Sequence, residues 1–221
     1  MAKLAFDPQQ LLIEAVGGEA ALDPARMEPD WLRRRFASPA AWQPETIEES
    51  LTRDLRMKPA AVLVPLVARP DGLTMLLTQR TEHLSNHAGQ ISFPGGRAEP
   101  SDASPVDTAL REAQEEIGLD RRHVELLGVM PEYLTGSGFR VTPVVGLLAP
   151  PFDLVADPHE VAEIFEVPLE FLMNGANHQR LAFEGTAEAA RRKFYAIPYE
   201  RFFIWGATAG MLRNLFHFLR A

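Results

Sequence analysis

The chain has 221 residues, 46% of them hydrophobic, which leaves room for one generous domain and excludes a largely disordered polymer. A net charge of −8 argues against a general nucleic-acid binder, which would present a basic face. With no cysteine there is no disulfide, thiol nucleophile or thiolate metal site, and no run approaches the roughly 18 apolar residues of a membrane span. The N-terminus lacks the apolar core of a secretory signal, so the expected location is cytoplasmic, with no membrane and no nucleic acid as partner.

In chain order, residues 1–55 read as an N-terminal helical extension and residues 56–221 as the main domain. Residues 9–16 are helix-like and stop at Gly17-Gly18, and a second helix starts after Asp30, a plausible N-cap, carrying Trp31, Leu32 and Phe36. The Arg33-Arg34-Arg35 run on it reads as a solvated face. From Ala61 the pattern changes to strands. Residues 62–67 and 73–79 flank Arg69-Pro70-Asp71-Gly72, whose turn chemistry predicts a hairpin, and Pro65 suggests an edge position or a bulge. A glycine-containing loop over 87–97 leads to the clearest helix. Ser104 suits its N-cap, Pro105 its first position, Asp107 completes a capping-box pattern, and Gly118 stops it. Val106, Ala109, Leu110, Ala113 and Ile117 form its buried stripe. Strands over 124–129 and 141–148 flank Thr135-Gly136-Ser137-Gly138, expected to be a mobile loop, and residues 150–158 read as irregular. Strands near 179–183 and 193–198 precede a last helix over about 204–219. Its Met211, Leu212, Leu215, Phe216 and Leu219 should pack on a sheet or on a second subunit, so a homodimer is a reasonable expectation. The mixture gives an α/β (α+β, mixed-sheet) class.

The residues with chemistry sit on the helix over 104–118. Glu112, Glu115 and Glu116 stand at i, i+3 and i+4, so helical geometry places them on one face, away from the apolar stripe. Three like charges repel unless a cation offsets them, and carboxylate oxygens are the ligands that hard divalent cations prefer. Such a cluster suits Mg²⁺, which polarises a phosphoryl oxygen and activates water. A solvated acidic face with Arg111 as counter-ion is the plainer alternative. Upstream, Phe93-Pro94-Gly95-Gly96-Arg97 forms a turn whose glycines permit close backbone approach.

Residues 96–119 resemble the Nudix box, through Gly96, Arg111, Glu112, Ala113, Glu115, Glu116, Gly118 and Leu119. Asp102 stands where that family usually has Glu, and the stretch from Asp102 to Arg111 is one residue longer than the pattern. The resemblance implies an α/β/α sandwich, Glu115 and Glu116 as principal ligands of Mg²⁺ or Mn²⁺, Glu112 as a further ligand or acting through water, and Arg111 orienting the glutamates. A second segment resembles the signature of the coenzyme A diphosphatase branch: Leu76-Leu77-Thr78-Gln79-Arg80-Thr81, then His87-Ala88-Gly89-Gln90, then Phe93-Pro94-Gly95-Gly96. Ser85 occupies a position where that branch carries Arg. Later segments, Val141-Thr142-Pro143-Val144-Val145-Gly146 and Trp205-Gly206-Ala207-Thr208-Ala209, resemble the same branch.

The resemblance implies hydrolysis of the diphosphate bond of coenzyme A, or of its thioesters, to 4′-phosphopantetheine and adenosine 3′,5′-bisphosphate. Arg80, His87, Gly95, Gly96 and Arg97 are the candidate substrate-binding residues. The plainer alternatives are a strand-end ion pair for Arg80, a partnership with a helix glutamate for Arg97, and a loop cap for His87. Glu160, in a segment that resembles the branch's later loop, is a candidate ligand or base, against a glutamate at a helix start beside the dipole. The alternatives are a Nudix hydrolase of another nucleoside diphosphate compound, such as ADP-ribose or NADH, and a binding module without turnover.

Overall fold

The computed structural model describes residues 7–45, 57–84, 87–183 and 192–221. Ser85, and residues 1–6 and 46–55 of the predicted extension, lie outside them.

The frame is a mixed α/β arrangement built on two sheets. The larger has β4 (Ile91–Ser92), β3 (Gly72–Arg80), β2 (Lys58–Arg69), β8 (Phe139–Leu148) and β6 (Val124–Val129) side by side. To this path β5 (Gly95–Arg97) adds on β2, β7 (Tyr133–Leu134) on β8, and β9 (Val161–Pro168) on β3. β2 and β3 form the predicted hairpin, with Arg69 opposite Gly72. β2 runs parallel to β8 and is covered on both faces, which is why it reads as a near-continuous apolar run. Alternation along it divides two cores. Ala60, Val64 and Leu66 enter one, while Ala61, Leu63 and Val67 enter the other, beneath the helix α2 (Pro105–Ile117).

Pro65 is therefore central rather than on an edge. Leu63 N donates to Pro94 O at 2.8 Å, so odd-numbered residues of β2 point their N–H toward β5. Pro65 points the same way, between the end of the β5 ladder at Val62 and the start of the β3 ladder at Leu66. Its missing donor falls where β2 changes partner and costs no ladder bond.

The smaller sheet has the order β1 (Leu12–Val16), β10 (Gln179–Phe183), β11 (Arg192–Tyr199) and β12 (Phe202–Trp205). Residues 9–16 were expected as helix. The structure instead gives a short 3-10 turn, Pro8–Gln10, and then a strand. A short run rich in branched residues is ambiguous by periodicity, and antiparallel pairing with β10 decides it. The second helix, α1 (Pro29–Ala37), begins earlier than expected, with Glu28 at the cap and Asp30 in the first turn. Its arginine run is not all solvated. Arg35 is 7% exposed, donates through Nε to Phe218 O at 2.9 Å, and lies over the Phe218 ring. β9 and β12 are set by their pairing with β3 and β11.

A short helix, α3 (Leu169–Leu172), follows β9, and the last helix, α4 (Gly206–Arg220), starts after β12 and packs within the chain against β11 and β12. Met211, Leu212, Leu215, Phe216 and Leu219 are all buried there, so the apolar face of this helix is used within the chain. Among the described residues no helix is long and apolar enough to cross a membrane.

Candidate active site

α2 starts and stops as its sequence dictates. Ser104 Oγ accepts from Asp107 N at 3.2 Å and donates to Asp107 Oδ2 at 2.8 Å. Gly118 closes it in the left-handed region at φ 68°, donating to Gln114 O. Ala109, Leu110, Ala113 and Ile117 anchor it on the sheet. The acidic residues are not a uniformly solvated face. Glu115 is exposed, Glu112 is mostly covered, and Glu116 is only 2% exposed.

Two glycines make that burial possible. Gly95 N donates to Glu116 Oε2 at 3.1 Å, and a Cβ on Gly95 would meet Ala61 O and Val62 Cα at 2.5 Å. A Cβ on Gly96 would lie 2.5 Å from the Glu112 carboxylate. The β5 backbone and the two glutamates thus share space that no side chain can enter.

Two arginines set the remaining geometry. Arg111 grips Asp102 with two bonds of 3.0 Å, reaches Glu115 at 2.8 Å and Glu112 at 3.0 Å, and donates to Arg97 O at 3.1 Å. Asp102, which also accepts from Thr108 Oγ1 and Glu99 N, is a holder of Arg111. The Arg111 guanidinium holds its carboxyl well below the usual carboxylate range. Arg80, at the end of β3, bridges Glu116 at 3.4 Å and Glu160 at 3.9 Å. Glu160 lies at the entry to β9, not at a helix start.

The other candidates divide. The Arg97 side chain is exposed, and among the described residues its guanidinium pairs with no glutamate of α2. His87 does not join the cluster. Its Nδ1 lies 2.8 Å from Gln90 Oε1 in an exposed loop, with backbone φ of 58°, which is the loop-capping behaviour.

Two carboxyls of the site are held above their ordinary range. Burial pushes the Glu116 carboxyl up to about 7, and the charges of Glu160 and Glu112 add to that push against Gly95 N–H and Arg80. Burial also raises Glu112, with Glu115 and Glu160 adding to it and Arg111 opposing. Among the described residues no three carboxylates or imidazoles converge closely enough to bind a cation as they stand. In kind, though, the donors fit a hard divalent ion: they are all carboxylate oxygens, and two of them, on Glu112 and Glu116, are withdrawn from water. Sequence reasoning missed Thr81 and Asp157, which hold the loop bearing Glu160. An Asp-Pro pair signals a turn but not what the turn supports.

Residues 57–184 match the NUDIX domain family. The "Uncharacterized Nudix hydrolase NudL" of Yersinia pestis (strain Pestoides F) is 42% identical over 156 residues, which cover 71% of this chain and 77% of that protein. Its counterpart in Yersinia pseudotuberculosis serotype O:1b (strain IP 31758) matches to the same extent. Among solved structures, a Nudix hydrolase from M. Smegmatis, RenU, aligns with a TM-score of 0.44 at 26% identity, over 52% of this chain and 72% of that one. With a domain match across more than half of its length and a relative 42% identical over 71% of it, the chain belongs to the Nudix family and is a hydrolase acting on phosphorus-containing anhydrides.

Proposed function

We propose that the chain cleaves the diphosphate bridge of coenzyme A, or of its thioesters. Water enters at one phosphorus, the P–O–P bond breaks, and the products are 4′-phosphopantetheine and adenosine 3′,5′-bisphosphate. Glu112, Glu115, Glu116 and Glu160 would hold Mg²⁺ or Mn²⁺, and a bound cation supplies charge neutralisation on the diphosphate and a more acidic water. Arg111 keeps Glu112 and Glu115 oriented. Arg97, exposed beside Gly96, is free to take a phosphate oxygen in the bidentate manner suited to guanidinium.

The single observation that carries this reading is the physical joining of the two motifs. Arg80 and Gly95, both from the segment over 76–96, bond directly to Glu116 of the acidic helix. A cleft of about 210 Å³ gives further support. It is lined by Gln79, Gly89 and Gln90 of that segment, together with Gln9, Arg201 and Trp205. Amide side chains beside an aromatic wall suit the amide-bearing or heterocyclic part of a long substrate.

Ser85, where the resembling branch has Arg, favours a second reading: another nucleoside diphosphate compound such as ADP-ribose or NADH. Steady-state kcat/KM for coenzyme A, ADP-ribose and NADH, each with Mg²⁺ and with Mn²⁺, separates the two. Coenzyme A is expected to lead by at least about tenfold, the net worth of about one extra hydrogen bond. A lead for ADP-ribose or NADH would transfer the proposal to that compound.

A further inference from the structure

The loop over 155–160, which bears Glu160, is slung between two anchors. At one end the last turn of α2 holds it, through Val155 N to Ile117 O and Asp157 N to Glu116 O, both at 2.9 Å. At the other end Thr81 holds it twice. Its backbone N donates to Glu160 O at 3.0 Å, and its hydroxyl donates to His159 O at 3.1 Å. Within the loop, Asp157 O accepts from Glu160 N and Val161 N, and the Asp157 carboxylate accepts from His159 N at 2.9 Å. Thr81 is 5% exposed, and the other polar group near its hydroxyl is His83 Nε2 at 3.4 Å. The side chain that precedes Thr81 is Arg80, which reaches Glu160 and Glu116.

We propose that Thr81 is the positioning residue for Glu160: its amide and hydroxyl clamp the consecutive carbonyls of His159 and Glu160, so that the Glu160 carboxylate stays beside Arg80 and Glu116. This rests on the functional role proposed for Glu160 above. A carboxylate on an unclamped loop samples many orientations, and small misplacements of a reacting or ligating group are costly to turnover. Arg80 restrains the carboxylate and Thr81 restrains the backbone beneath it, so neither suffices alone.

The test is a double-mutant cycle of Thr81→Val and Glu160→Gln, with Thr81→Ser as the conservative variant. It is assayed on whichever of coenzyme A, ADP-ribose and NADH is cut best. Thr81→Val is expected to lower kcat about tenfold, typical of losing a group that orients a ligand, with a smaller change in KM. Thr81→Ser should return kcat to within about twofold, and adding Thr81→Val to Glu160→Gln should change nothing further, because the positioned group is already gone. Hydrogen exchange, measured without metal, should show the amides of Asp157, His159, Glu160 and Val161 opening about fivefold faster in Thr81→Val and unchanged in Thr81→Ser. Thr81→Ala removes the same hydroxyl without a new methyl and carries the same expectations should the valine variant lose its fold. The proposal is overturned if Thr81→Val keeps the parental kcat while Glu160→Gln loses it, or if Thr81→Val weakens both backgrounds equally, the mark of a purely structural role. Parental activity in Glu160→Gln would instead remove the role of Glu160 and the clamp's purpose with it.

Discussion

Glu116 presents a carboxylate that water hardly reaches, held by one backbone N–H and one long arginine contact. Such a group costs the fold energy, and carboxyls perturbed in this way cluster at functional sites. Glu116→Gln is expected to lower activity about a hundredfold or more while the thermal midpoint of metal-free protein stays level or rises. A fall in both would make Glu116 a structural residue. The two glycines predict a graded pair. In Gly96→Ala the new methyl meets the end of a side chain, so Glu112 shifts and activity falls about tenfold with the fold kept. In Gly95→Ala it meets backbone, at a φ of 154° that other residues rarely adopt, so the fold itself should weaken by about 3 kcal/mol or more. Urea titration and kcat together read both; equal loss of stability in the two variants would contradict the geometry. The Glu112/Glu115/Glu116 spacing and the tight glycine turn were legible in the sequence because helical period and turn chemistry are local. That Glu116 alone is buried was not, since it depends on β5 lying against the helix.

At the scale of elements, α2 was readable from its caps and stripe, and both caps bind as expected. Ser104→Ala should cost about 1 kcal/mol, the usual value of an N-cap, and a change below a few tenths would mean that the Asp107 box holds the end without it. The elements that escaped were those decided by partners far along the chain. β1 needed β10, β9 needed β3, and Pro65 is tolerated in a central strand only because two neighbours take turns along one side of β2. The Asp102 departure from the family pattern is absorbed at this scale. With one extra residue before Arg111, the shorter acid still meets the guanidinium at two points.

At the scale of the whole molecule, the segment before β2 is fastened to α4 by a charged network far along the sequence from the acidic helix. Buried Arg213 donates to Glu19, and Glu45 accepts from Tyr195 and bonds His217 at 2.6 Å. His178 donates from Nε2 to Leu172 O, with Nδ1 facing Arg213 at 3.3 Å, so the imidazole is neutral. The Arg213 hydrogen bonds hold Glu19 at about 2, and Glu45 lies at about 2 because His217, Tyr195 and Arg213 outweigh the upward push of burial. Burial depresses His178 to about 4. For all three the unfolded chain binds protons more readily, so stability rises with pH through these ranges. Loss on acidification should begin below about pH 6.5 from His178 and continue below about 4.5 from the two carboxylates. Urea midpoints at pH 7, 5.5 and 3.5 measure it, and a flat profile would contradict the network. Arg213→Met should cost about 2–3 kcal/mol, moderated because the carboxylates are partly exposed.

The reading of the molecule as a coenzyme A diphosphatase turns on one product analysis. The protein and its Glu116→Gln variant are incubated with coenzyme A and Mg²⁺ or Mn²⁺, and the nucleotide products are separated by chromatography. Adenosine 3′,5′-bisphosphate and 4′-phosphopantetheine in equal amounts from the parent, and neither from the variant, is the predicted result. Intact coenzyme A with both metals, or equal turnover by the variant, would contradict it.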